Sequence, residues 1–366
     1  MSLHTYEAAA KERLPGPVWD FFAGGSGTES MLTAGRKALD RIQLRPRCLV
    51  DVSHCDPGTE LLGARLAAPL AVAPMAYHRL AHPEGEVATA RAAGAAGVLL
   101  TVSMFASRTL EAIAAAATGP LWLQLYWLKN RALLADLIHR AEAAGYRALV
   151  LTVDAPRVAT RPRDARNGWA IPPEIRAVNL PEETMSASHG RTAGESAIAR
   201  HSRDQFDSSI TWDDLAWLRE TTTLPLILKG VLTAEDAELA VKHDVSGLIV
   251  SNHGGRQLDF ARSAPECVTE IVDAVRSANA ECQVILDGGI RHGADIAKAL
   301  CLGADAVMTG RPALWGLAHS GAEGVTAVLR HLMTEFEEVM ALMGTPKVSA
   351  FTRSAIHQPT CDHHTP

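Results

Sequence analysis

Eight short apolar runs, separated by amphipathic stretches, constrain this chain more than any other feature. They are Leu70–Ala73, Val98–Ser103, Leu121–Tyr126, Ala148–Asp154, Pro225–Lys229, Gly247–Ser251, Gln283–Asp287 and Asp305–Thr309. Each is apolar throughout and lacks strict alternation, the pattern of parallel strands covered on both faces. Between them lie segments with helical spacing, such as Ala132–Ala144, Ala234–His243 and Gly293–Leu302. Eight strand–helix units in series predict an α/β fold of the (β/α)8, or TIM barrel, type. An open doubly wound sheet would more often carry Gly-x-Gly-x-x-Gly after its first strand, and no such turn is present here.

Two regions fall outside the repeat. Residues 1–67 read as a helical cap, with helices over Leu3–Arg13 and Val18–Phe22 and a loop around Arg45-Pro46-Arg47. Residues 155–210 are polar and rich in Ser, Arg and Ala, and they follow the fourth strand. Loops of that length in a compact domain are uncommon unless they work as lids or stay disordered, and this one is expected to be a lid. Residues 1–366 as a whole are expected to form one barrel domain.

Composition narrows the class of function. A net charge of −6 argues against a nucleic-acid partner, which selects a basic face. No apolar run reaches the roughly 18 residues of a membrane span, and Met-Ser-Leu-His-Thr-Tyr-Glu lacks the regions of a signal peptide. Six cysteines without a Cys-x-x-Cys pair suit free thiols in a reducing cytoplasm rather than disulfides or a zinc site, so no metal is expected. His363-His364 reads as part of a frayed tail.

The polar residues with chemical potential stand at the ends of the predicted strands. They are Ser103, Gln124 with Tyr126, Thr152 with Asp154, Lys229, His253 with Arg256, Asp287 and Gly310-Arg311. In a barrel these ends converge on one mouth, where active sites are built. Within Ser251-Asn252-His253-Gly254-Gly255-Arg256-Gln257-Leu258-Asp259, an imidazole and a guanidinium lie three residues apart. A base beside a fixed cation suits a 2-hydroxy acid, since the cation holds the carboxylate while the base takes a proton. Asp287-Gly288-Gly289-Ile290-Arg291 and Thr309-Gly310-Arg311-Pro312 follow the seventh and eighth strands. Glycine backbones and a helix N-terminus there are suited to phosphate, and the missing dinucleotide fingerprint favours a mononucleotide. Lys229 could form a Schiff base, pair with phosphate or stabilise an anion on a cofactor ring.

With these residues assembled, the chain resembles the FMN-dependent 2-hydroxy acid oxidase and dehydrogenase family over about residues 5–355. The resemblance rests on Leu14-Pro15, Ala73-Pro74-Met75-Ala76, His82-Pro83-Glu84-Gly85-Glu86, Gln124-Leu125-Tyr126, Thr152-Val153-Asp154-Ala155-Pro156-Arg157, Leu228-Lys229-Gly230 and, most specifically, Ser251–Asp259. It implies FMN as cofactor. It further implies His253 as the base, from Cα or from the hydroxyl, with Asp154 orienting it. Arg161 and Arg256 would bind the carboxylate, and Tyr126 the substrate hydroxyl. Lys229 would stabilise the reduced ring. Pro74, Met75 and Ala76 would line the flavin, and Ser103, Gln124, Thr152 and Ser251 would contact it. Asp287 would also bind the cofactor, and Gly288, Gly289, Arg291, Gly310 and Arg311 would hold its phosphate.

Two departures bear on the substrate. Many members carry a tyrosine where this chain has Phe21, so one carboxylate donor is missing; where plant glycolate oxidases have tryptophan, this chain has Phe105. Phe105 with Tyr77 and Met104 would suit an aromatic substrate. The segments Ala76-Tyr77, Asn167-Gly168-Trp169 and Phe22–Glu29 resemble the actinobacterial 4-hydroxymandelate oxidase branch. The resemblance thus implies oxidation of an (S)-2-hydroxy acid, mandelate or 4-hydroxymandelate, with O2 as acceptor, in a cytoplasmic tetramer. Alternatives are a dehydrogenase of lactate or glycolate type and a flavoprotein acting on a carrier peptide. The polar 155–210 segment lacks the apolar insertion of membrane-bound mandelate dehydrogenases. An inosine monophosphate dehydrogenase is disfavoured because no cysteine lies between Cys55 and Cys267.

Overall fold

All eight predicted strands form, and they close on themselves. The computed structural model describes residues 1–182, 184, 189–190, 196–278 and 281–358; Cys361 and the His363-His364 tail lie outside these. The barrel strands are β4 (Leu70–Val72), β5 (Leu99–Ser103), β6 (Leu121–Leu125), β7 (Leu149–Thr152), β8 (Leu226–Val231), β9 (Gly247–Val250), β10 (Gln283–Asp287) and β11 (Ala306–Thr309). They pair in parallel, in chain order, with β11 returning to β4. Three short segments precede them: β1 (Gln43–Leu44), β2 (Thr59–Leu61) and β3 (Ala64–Leu66). β1 pairs with the last strand, β12 (Ile356–His357), and ties the two ends of the described chain together.

Side-chain direction along the strands explains where the chemistry collects. The barrel interior is filled by Ala71, Leu99, Trp122, Val150, Ile227, Ile249 and Ile285, all buried. Successive strand residues face opposite sides, so the next inward position lies two residues on. Those positions are Gln124, Thr152, Lys229, Ser251 and Asp287. The same step carries β5 through Thr101 to Ser103 and takes β7 and β9 on to Asp154 and His253. The inward face is therefore apolar at the bottom and polar at the mouth, while the outward face stays apolar under the helices.

The outer helices form for local reasons as well. α10 (Ala234–Lys242) is capped by Thr233, whose hydroxyl accepts from Asp236 N at 3.2 Å, and carries Glu235 and Asp236 in its first turn. α11 (Ala264–Ser277) starts with a Ser263/Glu266 capping box and Pro265. The remaining labelled helices are α1 (Leu3–Arg13), α2 (Gly16–Ala23), α3 (Met31–Arg41), α4 (Glu86–Ala95), α5 (Leu110–Ala116), α6 (Arg131–Ala143), α7 (Pro162–Asn167), α8 (Ala197–Gln205), α9 (Leu215–Thr221), α12 (Gly293–Cys301) and α13 (Arg311–Met343). α13 is broken at Ser320–Gly321, where the backbone leaves helical values.

The first 67 residues contain more structure than the expected two helices and loop. α3 packs beside the loop after β10, where a Cβ on Gly289 would come within 3.0 Å of the Gly35 carbonyl carbon. The β2–β3 hairpin sends Leu61 and Leu66 into the bottom of the barrel, against the cluster of Leu99 and Trp122. The segment after β7 is likewise not loop throughout: it carries α7 and α8. Among the described residues no helix is long and apolar enough to cross a membrane.

Candidate active site

A cavity of about 570 Å³ opens at the mouth formed by the strand ends, within the size range of small-molecule sites. At its centre His253 and Asp154 are paired, Nδ1 to Oδ1, at 2.8 Å. That bond leaves Nε2 pointing towards Tyr126, whose Oη lies 3.5 Å away. His253 has a left-handed backbone (φ 58°), and its N–H is held at 3.0 Å by Ser251 Oγ. Burial lowers the imidazole pKa; Asp154 opposes this, and the nearby Lys229 and Arg161 charges add to it. The ring is thus an unprotonated base at neutral pH with a carboxylate positioned to stabilise its protonated form.

Behind this pair Ser251 is a junction. Its hydroxyl accepts from Lys229 Nζ at 3.0 Å and donates to Asp287 Oδ2 at 2.7 Å, while Lys229 and Asp287 pair directly at 3.1 Å. Lys229 and Asp287 reach the cavity wall, whereas Ser251 and Asp154 stand behind it. Gln124 Nε2 donates to Thr152 Oγ1 at 3.0 Å across the neighbouring strands.

Cations predominate around the opening. Arg161 is buried, its Nε lacks a partner among the described residues, and its nearest carboxylate oxygen, on Asp164, is 3.9 Å away. Arg256 uses one nitrogen, Nη1, to bond the Phe21 and Gly24 carbonyls at 2.7 Å each. Its remaining N–H groups make no such bond among the described residues. Burial lowers both guanidinium pKa values, and for Arg256 the Arg161 and Arg311 charges lower it further. Two guanidiniums, Arg161 in a long 3.9 Å ion pair with Asp164 and Arg256 without an ion pair among the described residues, share one cavity with an unprotonated imidazole and make a receptor for a small carboxylate.

One wall is aromatic. Tyr126 stacks on Phe206 with centroids 4.7 Å apart, and Phe105 lies 5.6 Å from Tyr126 and 6.2 Å from Phe206. Tyr77 stacks on Phe105 at 6.3 Å. Met104, expected beside them, is fully buried behind the wall, with its sulfur 3.1 Å from Tyr126 N. Phe21 lines the cavity and stacks on Trp169 at 5.1 Å.

The loops after β10 and β11 close the other end. Gly288 (φ 116°) has almost open space at its Cβ position, the nearest atom being Asn252 Oδ1 at 3.9 Å. Arg291 and Arg311 line this end and form no ion pair among the described residues. Burial and the neighbouring Arg291 charge push the Arg311 pKa down to about 10, with Asp287 opposing. The Thr309 hydroxyl is buried without a partner among the described residues and borders the same space.

Residues 10–358 match the FMN-dependent dehydrogenase family. The chain belongs to this family. Its cofactor is accordingly FMN. The enzyme is 47% identical to 4-hydroxymandelate oxidase of Amycolatopsis orientalis over 353 residues, 96% of this chain and 97% of the relative. It is 42% identical to glycolate oxidase of Spinacia oleracea over 355 residues, 97% and 95% of the two chains. A crystal structure of mandelate oxidase with (S)-4-hydroxymandelic acid superposes with a TM-score of 0.93 at 46% identity, covering 97% of this chain and 98% of that one.

The cavity of the enzyme fits FMN on its own evidence. Unneutralised guanidiniums, open glycine backbone and an orphaned hydroxyl gather at one end, as a phosphate and a polar chain require. Pro74, Met75 and Ala76 line the same cavity together with Ser103, Gln124, Thr152 and Lys229, a set with apolar surface for a ring and donors for its edge. Sequence reasoning missed Val158, Ile198, His201 and Phe206, which reach the wall from the segment after β7. It also missed Leu32 and Arg36 of α3. None of these sits at a strand end, so nothing in the barrel pattern points to them.

Proposed function

We propose that the enzyme oxidises an aromatic (S)-2-hydroxy acid, mandelate or 4-hydroxymandelate, to the 2-oxo acid. The observation that carries this reading is one juxtaposition: the His253–Asp154 pair shares one cavity with two guanidiniums, Arg161 and Arg256, and an aromatic wall that includes Tyr126. Arg161 and Arg256 hold the carboxylate. Tyr126 Oη bonds the substrate hydroxyl, and His253 Nε2 takes a proton from Cα or from that hydroxyl. Asp154 then faces an imidazolium rather than a neutral ring. Oxidation removes two electrons and two hydrogens, which reduce O2 to H2O2. Bound FMN supplies the two-electron acceptor.

The phosphate of FMN is assigned to Gly288, Gly289, Arg291, Gly310 and Arg311. Pro74, Met75 and Ala76 face its ring, with Ser103, Gln124, Thr152 and Lys229 at the polar edge. Ser251 and Asp287 act by holding Lys229. Phe21 and Phe105 give the substrate pocket its apolar surface. The 155–210 segment, which contributes α8 and Phe206 to the wall, serves as the lid of a single-domain enzyme. The free thiols support a reducing, cytoplasmic setting, and the family resemblance supports a homo-oligomer.

The test is an anaerobic absorption spectrum of the holoenzyme mixed with 4-hydroxymandelate. Bleaching of the flavin band, with recovery and H2O2 on admitting air, is the expected result. A flavin that does not bleach with mandelate or 4-hydroxymandelate moves the substrate elsewhere. One that bleaches but does not recover in air makes the enzyme a dehydrogenase.

A further inference from the structure

The lid helix α8 places one polar side chain where the catalytic description leaves it without a task. His201 is 3% exposed and lines the cavity; the Thr184 backbone is a polar neighbour of its ring, but neither ring nitrogen makes a hydrogen bond of good geometry among the described residues. A buried polar ring left so is costly unless something in the cavity bonds it. Its position is defined by a run of rings leading away from the base. Tyr126 lies 6.5 Å from His253, Phe105 lies 5.6 Å from Tyr126, and His201 meets Phe105 edge-on at 5.7 Å. In this series of ring contacts Tyr126 and Phe105 stand between His253 and His201.

We infer that His201 is a specificity-determining residue that hydrogen-bonds a hydroxyl carried on the far edge of the substrate's aromatic ring. This rests on the aromatic hydroxy acid reading above and selects within it: a phenolic substrate over an unsubstituted one. With the carboxylate on Arg161 and Arg256 and Cα at His253, the substrate ring runs along Tyr126, Phe105 and Phe206. Its far edge then points to His201. The state of the imidazole fits a neutral partner. Burial, only partly offset by Asp204 and the Thr184 backbone, pushes its pKa down to about 4. It therefore presents one N–H and one lone pair, which match a phenol that both donates and accepts. A ring-borne charge would find no counter-charge in it.

The experiment compares 4-hydroxymandelate with mandelate in the holoenzyme and in His201→Phe and His201→Asn. Unmodified enzyme is expected to favour the phenolic acid in kcat/KM. His201→Phe should reduce kcat/KM for 4-hydroxymandelate about tenfold, the range for one hydrogen bond to a neutral partner, while mandelate changes less than about threefold. His201→Asn, which keeps a donor and an acceptor, should recover part of the preference. Independently of any variant, 4-hydroxyphenylacetate should perturb the flavin absorption of unmodified holoenzyme at about tenfold lower concentration than phenylacetate. Equal affinity for these two probes overturns the inference, as does an equal loss on both substrates in His201→Phe. Unmodified enzyme that oxidises neither mandelate overturns the functional reading as well. Enzyme that oxidises both equally well overturns only the role of His201.

Discussion

Asp154 and His253 follow next-but-one strands, β7 and β9, and their side chains meet at 2.8 Å, with Asp154 seated where a side chain on Gly230 of the intervening β8 would stand. Gln257 fixes the carboxylate's backbone by donating from Nε2 to the Asp154 and Arg157 carbonyls at 2.9 Å each. Removing the charge of Asp154 acts first on the imidazole it bonds, and also relieves Tyr126, whose pKa that charge raises. In Asp154→Asn the imidazolium loses its stabilising neighbour, and burial together with Lys229 and Arg161 lowers the His253 pKa further. The rise of kcat/KM with pH, which follows deprotonation of the base in the free enzyme, should move to lower pH. The plateau should fall about 10²- to 10³-fold, within the usual contribution of general-base catalysis. A pH–rate profile checks both; an unmoved limb would show that the pair is structural only.

Gly230 supplies a second test of the same contact. Its φ is +109°, and a Cβ there would stand 2.5 Å from Asp154 Cβ. Gly230→Ala must displace Asp154 or the Lys229 strand end, besides adopting a backbone that costs roughly 1–3 kcal/mol for a residue with a side chain. The expected outcome is a lower thermal midpoint together with a loss of kcat similar in direction to Asp154→Asn. Normal activity with a lower midpoint would show that the strain is relieved away from the catalytic pair.

What could be read in the sequence follows from where the signal resides. Parallel strands declare themselves as apolar runs, and the barrel rule sends whatever polar group ends them to one mouth; Lys229, His253 and Asp287 were therefore legible. Asp154 and Ser251 were legible as residues but not as residues behind the wall, because depth is set by strand tilt and packing. The β2–β3 hairpin was hidden because its turn is Leu62-Gly63, with φ of 44° and 75°, where Asn-Gly or Asp-Gly would have marked it. α3 was hidden by Gly35, a poor helix residue that here sits against Gly289. His201 and Phe206 belong to the 155–210 segment, whose sequence is polar overall, so their burial depends on tertiary contacts alone.

Arg161 should separate substrate binding from cofactor binding. It lines the cavity, its charge acts on His253 and Arg256, and its carboxylate neighbour, Asp164, stands 3.9 Å away. Arg161→Met should weaken binding of a carboxylate probe such as phenylacetate about 10- to 100-fold, as for a lost hydrogen bond to a charged group. Flavin content per chain should not change. Loss of flavin in this variant would place Arg161 at the cofactor instead.

Arg291 allows the opposite separation, and its sign reverses with FMN. Among the described residues its guanidinium bonds only the Ile290 carbonyl, at 2.8 Å, and it lies 4.8 Å from the Trp315 ring. Burial lowers its pKa, Glu7 raises it, and Arg36 lowers it again, while Arg291 in turn lowers the pKa of Arg311. Without FMN this is a pair of like charges at one end of the cavity, and Arg291→Met should leave the thermal midpoint equal or higher. With FMN the same charge meets a phosphate. Ligand present at roughly 100 times Kd stabilises a folded protein by about 2.7 kcal/mol, and a variant that weakens binding 10- to 100-fold forfeits about half or more of that. Thermal midpoints of stripped and FMN-loaded protein, unmodified and Arg291→Met, supply the comparison. A shift on adding FMN that is equal in both proteins would remove Arg291 from the phosphate site.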